Sequence, residues 1–381
     1  MTNFLKEYTL RIGAKSESPF MNRDDIYQDG TTPMYRDVDG KLWAMSGHSH
    51  MGHIGMFCGT SLSDMKEVWP VLTNFCVGHA DFAFAGVRYP DGIKARGSIW
   101  PFGLYICPKT HRFFCFFHNE TGWNGKGTAY DALGYCGRRP RYDSDFRHVG
   151  LMHSDDEGQN WFFDRWVLTA EEANFTQIFK PEETGVAVGQ PGGTIGLGSG
   201  DFSLFVNPND EYMYLVYNIA RVNTDESNWK SCDTYIARTR KREDGLMGDF
   251  VKLYEGQWCE AGNFGKESII APMSWHSRIV YLEKYGVYLM SSTRITPKED
   301  GNGMTVGDAT DLWVSEDLVH WSQPTGGIMY EGKEFGNHYV AMASIDSEGS
   351  PMVIKGDDLC FLTNHNGTDV MRFETKIVKR A

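Results

Sequence analysis

The chain has 381 residues, with 37 Lys and Arg against 50 Asp and Glu, and a formal net charge of −13 at pH 7. That sign argues against a nucleic-acid partner, which needs a basic face to displace counterions, and against docking on an anionic membrane surface. Hydrophobic residues at 41% and charged residues at 23% exclude long disorder, and no apolar run approaches the ~20 residues that cross a bilayer.

The 42 Gly and the 14% of aromatic residues, with 11 Trp, 18 Tyr and 23 Phe, suit an all-β chain with many turns. The start, MTNFLKEYTLRIG, lacks a basic-then-apolar signal pattern. The compartment expected from it is the cytoplasm, with a secreted mature form as the alternative. Eight Cys, at 58, 76, 107, 115, 136, 232, 259 and 360, form no CxxC pair and read as buried thiols, with a disulfide or two as the alternative in a secreted chain.

In chain order, a strand near EYTLRI comes first. TTPMYRD with KLWAMSG follows as a hairpin, then GMFCGTS with EVWPVL. SIWPFGLYI with HRFFCFFH makes the next hairpin, followed by VGLMHS with NWFFDRW. TAEEANFTQIF (169–179) is the best helical stretch, and it is short. DFSLFVN with YMYLVYN, then DTYIAR with DFVKLYE, repeat the pattern, as do SRIVYLE with YGVYLMSS and DLWVSE with VHWSQP. HYVAMASI with DDLCFLTN and a last strand MRFETKIV end the chain. Short β-rich runs bounded by Gly, Asn, Asp and Pro are strands, and tight turns such as VDG or PNDE make hairpins of them.

Five units of about four strands predict a single domain over 1–381, a five-bladed β-propeller. Its blades run over about 28–77, 96–170, 200–258, 274–325 and 336–381, and the N-terminal strand closes the ring. The connections TSLSDMKEVW, SDDEGQNW and SEDLVHW each place Ser and Asp before a Trp. SDDEGQNW fits the Asp-box pattern through Ser154, Asp156, Gly158 and Trp161, read here as a structural turn and not as a catalytic Asp.

Propeller topology sorts the loops. Loops between second and third strands, and those joining blades, share one face with the axial starts of the inner strands. Unusual residues gather there. GHSHMGHIG carries His48, His50 and His53, and the long segment 119–147 carries Trp123, Tyr130 and the arginines 138, 139, 141 and 147. His79, Arg96, the glycine-rich PGGTIGLGSGD leading to Asp201, Glu267, Trp275, His276 and His338 follow. The turns of the other face hold mostly solvated charge and glycine. Trp100, Trp123, Trp229, Trp258 and Trp275 lie in or beside the functional-face segments, where sugar faces stack on indoles.

The stretches GSGDFSLFVNPNDEYMYLVYN, SW-x-x-R (Ser274, Trp275, Arg278) and SEDLVHW resemble the five-bladed propeller glycoside hydrolases around families 43, 32 and 117. The resemblance implies carboxylates at the starts of inner strands that converge on the axis as base or nucleophile, acid and pKa modulator. Mapped onto this chain it offers Asp29 and Asp201. Where blade 2 should carry a third carboxylate, this chain has Arg96 and Trp100, and Glu267 is the nearest substitute.

Glycosidic cleavage needs one protonated acid and one ionised carboxylate or activated water. The expected catalytic set is therefore Asp29, Asp201 and Glu267. His48, His50, His79, Arg96, Trp100, Trp275, His276 and His338 form the expected substrate-binding set, and the substrate is an oligo- or polysaccharide. No residue is assigned to a metal; His48, His50 and His53 lack a thiolate or carboxylate partner at fixed spacing. A structural calcium on the propeller axis is the one cofactor left open. Two other readings stand beside the hydrolase. A polysaccharide lyase would use Arg to neutralise a uronate and His or Tyr to remove its C5 proton. A lectin-like propeller would repeat one pocket in every blade, whereas these five blades start differently.

Overall fold

In the computed structural model the described residues are 3–17, 30, 32–46, 54–69, 98–120, 146–174, 194–223, 229–299, 303–346, 348–365 and 369–380. After a helical turn, α1 (Phe4–Glu7), the described residues are built mainly of strands, with a short 3-10 turn at Glu283–Tyr285. β1 (Tyr8–Glu17) precedes blade 1, made of β2 (Met34–Arg36), β3 (Leu42–Ser46), β4 (Gly55–Gly59) and β5 (Lys66–Trp69). Blade 2 follows with β6 (Ser98–Ile106), β7 (Phe113–Glu120), β8 (Arg147–Ser154) and β9 (Phe162–Leu168). Blade 3 has β10 (Thr194–Gly196) and β11 (Gly200–Val206) side by side on β12 (Tyr212–Asn223), then β13 (Trp229–Arg240), β14 (Val251–Tyr254) and β15 (Gln257–Ala261). Blade 4 contains β16 (Ser274–Leu282), β17 (Val287–Pro297) and β18 (Met304–Ser315), followed by a small hairpin of β19 (Met329–Tyr330) and β20 (Lys333–Glu334). β21 (Ala341–Ser344), β22 (Val353–Ile354), β23 (Asp358–His365) and β24 (Asp369–Lys379) complete the chain.

The ring closes as the sequence predicts. β1 pairs antiparallel with β24, Tyr8 opposite Lys379 and Leu10 opposite Ile377, so blade 5 takes its outer strand from the N-terminus. Five buried apolar clusters among the described residues fill the seams between neighbouring blades, and the first also reaches Ala220 and Val222 of blade 3 and Trp275 of blade 4. Trp43, Met45 and Met56 of blade 1 meet Leu104, Phe113 and Trp161 of blade 2. Phe114, Phe116 and Leu151 of blade 2 meet Leu204, Leu215 and Phe250 of blade 3. Val216 and Ile236 of blade 3 meet Ile279, Met290 and Trp313 of blade 4. Val280, Leu289 and Leu312 of blade 4 meet Met342, Phe361 and Phe373 of blade 5. Finally, Met34, Leu42 and Phe57 of blade 1 meet Ala341, Cys360 and Leu362 of blade 5. A strand buried on both faces reads as a continuous apolar run, which is why HRFFCFFH lacks alternation and all of β7 is buried.

Turn chemistry fixes the hairpins. Asp37 Oδ1 accepts the backbone N–H groups of Asp39 (3.0 Å) and Lys41 (2.9 Å), and Gly40 takes the positive φ of 79° that the turn requires. Between β8 and β9, Ser154 Oγ donates to Asp156 Oδ1 (2.7 Å) and accepts from Gly158 N (3.0 Å), while Asp156 accepts from Asn160 N (2.9 Å). Trp161, fully buried against blade 1, donates its indole N–H to the Gly158 carbonyl (2.7 Å). Asp156 thus serves its own turn.

Two features differ from the sequence reading. The outer segment of blade 4, VHWSQP with the Thr325 that follows it, forms no continuous strand but is held by the bridges Ser315 with Trp321 and Leu312 with Thr325, while Asp317 and Ser315 draw the preceding turn onto their own side chains. β22 lies parallel to β16, Tyr281 opposite Val353, and so ties blade 5 to the inner strand of blade 4.

Candidate functional site

The inner strands of blades 2, 3 and 4 each carry a β-bulge near their start: between Pro101 and Gly103, Gly200 and Ser203, and Trp275 and Arg278. A bulge adds an unpaired residue and re-aims its side chain. The residues so placed include Phe102, Asp201 and His276, and both Asp201 (φ 41°) and His276 (φ 52°) sit in the left-handed region that non-glycine residues rarely adopt. Tyr339, just before the inner strand of blade 5, has φ 54°. Four unlike side chains thus arrive at one place from four blades.

Their contacts put that place on the axis. Tyr339 of blade 5 donates its hydroxyl to Asp201 Oδ1 of blade 3 (3.3 Å), and the rings of Tyr339 and blade 2's Phe102 lie 6.0 Å apart. Neither pair belongs to adjacent blades in a ring of five, so the meeting point is central.

Asp201 is 5% exposed. Its Oδ2 accepts from Arg147 Nη1 (2.8 Å) and from the Trp275 indole N–H (2.8 Å). The Asp201 backbone N–H donates to His118 Nδ1 (3.0 Å). His118 Nε2, 3.2 Å from Glu120 Oε1, therefore carries the ring proton and donates it to that carboxylate. Glu120 Oε1 also lies 3.0 Å from Arg147 Nε, so the guanidinium is held between two carboxylates.

Glycine makes the close approach feasible. A Cβ on Gly200 would stand 2.6 Å from both Arg147 Cδ and His118 Cε1, and one on Gly198 (φ 79°) would stand 2.3 Å from the Arg147 carbonyl. This accounts for the glycine-rich run before Asp201. Asn218 fixes the blade 4 bulge by accepting the His276 N–H (2.9 Å) and donating to the Ser274 carbonyl (3.0 Å).

Burial alone would raise the pKa of Asp201. The charge of Arg147 and the hydrogen bond from the Trp275 N–H outweigh it and hold the carboxyl well below the usual carboxylate range. Asp201 is ionised at any working pH. Burial pushes His276 far below its ordinary value, so it is neutral, and its Nδ1 has no hydrogen-bond partner among the described residues. Its ring stacks on Tyr339 at 3.7 Å and lies 5.5 Å from that of the exposed His338. Trp100 (3% exposed) packs edge-on against His118, 5.1 Å between centroids.

Of the residues expected from sequence, Asp201, Trp275, His276, His338 and Trp100 are brought together. Glu267 is placed elsewhere: its carboxylate pairs with the fully buried Lys252 Nζ, which also donates to the carbonyls of Thr169 (2.8 Å) and Gly265 (2.9 Å). Burial raises the Glu267 carboxyl and lowers the Lys252 ammonium, each countered by the other's charge. That pair pins blade 3's outer strand to blade 2. Asp29, His48, His50, His79 and Arg96 lie outside the described residues. Gly30, however, packs directly on Phe102, where a Cβ would stand 2.0 Å from its ring. Sequence reasoning missed His118, Glu120 and Tyr339, and took Arg147 only as part of a loop cluster. The visible signal was HNE at the end of an otherwise apolar strand: His118 and Glu120, two apart, share one face of β7.

Among the described residues, one group of three could offer ligand atoms to a metal ion: Asp37, Asp39 and His111, within 4.8 Å of one another. Asp37 Oδ2 already accepts the Trp43 indole N–H (2.7 Å) and faces His111 Nε2 (3.3 Å), and its Oδ1 caps the turn. These contacts explain the group as a tie between blades 1 and 2. A cavity of about 780 Å³ opens on the same face, lined among others by Tyr35, Arg36, Tyr105, Pro208, Arg242 and Gly349. This face therefore holds more than solvated charge, but the lining cations are engaged: Arg36 donates to the Gly349, Gly40 and Thr60 carbonyls and Arg242 pairs with Asp244.

No family model and no curated protein sequence matches the chain. Solved structures do. The fold is similar to that of a family 117 glycoside hydrolase produced by the marine bacterium Zobellia galactanivorans, at 10% identity over 97% of this chain and 90% of that one, with a TM-score of 0.51. An α-L-arabinofuranosidase from Lactobacillus brevis is 13% identical over 94% of both chains, with a TM-score of 0.46. A family 43 β-1,3-galactosidase is 13% identical over 96% of this chain and 94% of that one, with a TM-score of 0.46. At such identities the likeness is one of fold.

Proposed function

We propose that the protein is a glycoside hydrolase whose reacting centre is built around Asp201. The observation that carries the reading is a buried, ionised carboxylate on the axis, aimed by a bulge and braced by donors from three other blades. Oδ2 is occupied by two donors at 2.8 Å, whereas among the described residues Oδ1 has the longer 3.3 Å contact with Tyr339. Oδ1 thus keeps a lone pair for an anomeric carbon or for the water that attacks it. The ion pair with Arg147 suits a carboxylate that stabilises developing positive charge on the sugar.

Asp29, the chain neighbour of Gly30 against Phe102, is the second carboxylate of the proposal. Trp100, Trp275 and the stacked His276 and Tyr339 supply aromatic faces for a saccharide ring. Unlike residues at equivalent bulges favour chemistry at a single site over five repeated sugar pockets. Arg147 lies between Glu120 and Asp201, so it is spent as a uronate binder, which favours hydrolysis over elimination.

The test is an incubation of purified protein with a panel of neutral and uronic-acid glycans, following both new reducing ends and the ultraviolet absorbance of unsaturated uronates. Reducing ends without ultraviolet absorbance support the proposal. A rising ultraviolet signal, or binding without turnover, overturns it.

A further inference from the structure

Arg278 lies on β16, two residues beyond His276, and is 1% exposed. Its Nη1 donates to the Thr32 carbonyl at 3.1 Å. Thr32 leads into blade 1 and β16 belongs to blade 4, which are not neighbours in the ring, so this guanidinium also stands on the axis. Its Nε and Nη2, both without solvent contact, have no hydrogen-bond partner among the described residues. Those two nitrogens form the fork edge of a guanidinium, the edge that grips anions with two parallel N–H donors.

Burial lowers the Arg278 pKa to about 10, which leaves the group cationic at neutral pH. The titratable neighbour that acts on it is Cys360 of blade 5, itself buried and pushed up to about 12, hence neutral. The other buried cations of the core have carboxylate partners: Arg147 has Asp201 and Glu120, and Lys252 has Glu267. A buried charge without a countercharge is costly, and nature pairs such groups.

We propose that a small inorganic anion, chloride in ordinary solution, binds on the propeller axis against the Nε and Nη2 edge of Arg278. At 1% exposure the edge admits an ion of a few atoms, not a sugar acid or a peptide carboxylate from solution. The inference is independent of the hydrolase proposal.

Crystals of the full chain grown in bromide provide the direct test, with an anomalous peak expected within hydrogen-bond distance of Arg278 Nε and Nη2. In solution, thermal unfolding at constant ionic strength should show a saturable rise of Tm with chloride or bromide against gluconate. Arg278→Met should abolish that halide-specific rise. Should Arg278→Met fail to fold, Arg278→Lys, which lacks the fork, is measured instead, and the bromide map of the unaltered protein decides on its own. Water alone at the fork, or a carboxylate of the protein seated on it, overturns the proposal. So does a peak seen only at molar bromide without halide-specific stabilisation, which marks an adventitious ion only.

Discussion

Asp201→Asn keeps the shape of the side chain and removes its charge. In the unaltered protein Oδ2 accepts from Arg147 and Trp275, both at 2.8 Å, in a site 5% exposed. Hydrogen bonds to a charged group contribute roughly 1.5–3 kcal/mol each, against about 1 kcal/mol for neutral ones. The amide keeps the weaker form of both, and Arg147 keeps Glu120 as a counterion. The expected loss is therefore about 3 kcal/mol at neutral pH, at the lower end of the ~3–5 kcal/mol for breaking a buried pair outright.

The pH dependence has a definite sign. The folded carboxyl titrates well below the ordinary value of 3.8, so its stabilisation is complete above that value and drains as pH falls toward the folded one. The drain is roughly 1.4 kcal/mol per pH unit. Asp201→Asn has nothing to lose there. Denaturant unfolding followed by tryptophan fluorescence should show a constant gap between the two proteins from about pH 7 to about pH 5, narrowed by about 1 kcal/mol at about pH 3. A gap that stays constant through acid, or a variant more stable at neutral pH, would refute the reasoning that Arg147 and Trp275 hold the carboxylate ionised.

Four further outcomes follow from the same geometry. Gly200→Ala forces a methyl to 2.6 Å from Arg147 and His118, both pinned, and should cost about 2 kcal/mol in chemical denaturation together with most of the activity; full stability would contradict the close approach. Glu267→Gln leaves Lys252 buried with carbonyls only, so unfolding should show a loss of about 3 kcal/mol, and an unchanged midpoint would count against the ion pair. Trp161→Ala empties a fully buried site between blades 1 and 2 and should cost about 3–5 kcal/mol by thermal melt, with kcat/KM of the folded fraction unchanged. Removing β1 exposes β24 as an open edge; the shortened chain should associate or unfold in light scattering, and a monomer of native Tm would show that ring closure is dispensable.

The fold was legible because each blade is built from local signals: an apolar run, a turn that needs Asp, Asn or Gly, and a second run. The N-terminal closure was legible for the same reason, since EYTLRI has no partner nearby. The site was only partly so. Asp201 announced itself as a carboxylate between glycines and a buried strand, and those glycines prove to make room for Arg147 and His118. Glu267 misled, since an acidic residue ahead of an inner strand looks the same in sequence whether it faces the axis or, as here, a buried lysine on an outer strand. Lys252 gave no warning because its partners lie 13 and 83 residues away. The β-bulges were not readable either: the step of register that aims His276 at the axis is set by Asn218 of the neighbouring blade. The Glu120, Arg147 and His118 set is likewise a product of pairing, Glu120 standing opposite Arg147 across β7 and β8.

The proposed hydrolase cleaves at Asp201 and not at Glu267, the carboxylate paired with the buried Lys252. The most direct measurement compares reducing-end release by Asp201→Asn and Glu267→Gln with that of the unaltered protein, on whichever glycan of the panel is turned over, each rate corrected for folded fraction. Asp201→Asn should lose at least about a thousandfold, the scale of a carboxylate acting in the transition state, while Glu267→Gln should stay within about threefold of the unaltered rate. Near-normal turnover by folded Asp201→Asn, or a thousandfold loss confined to Glu267→Gln, would contradict the proposal.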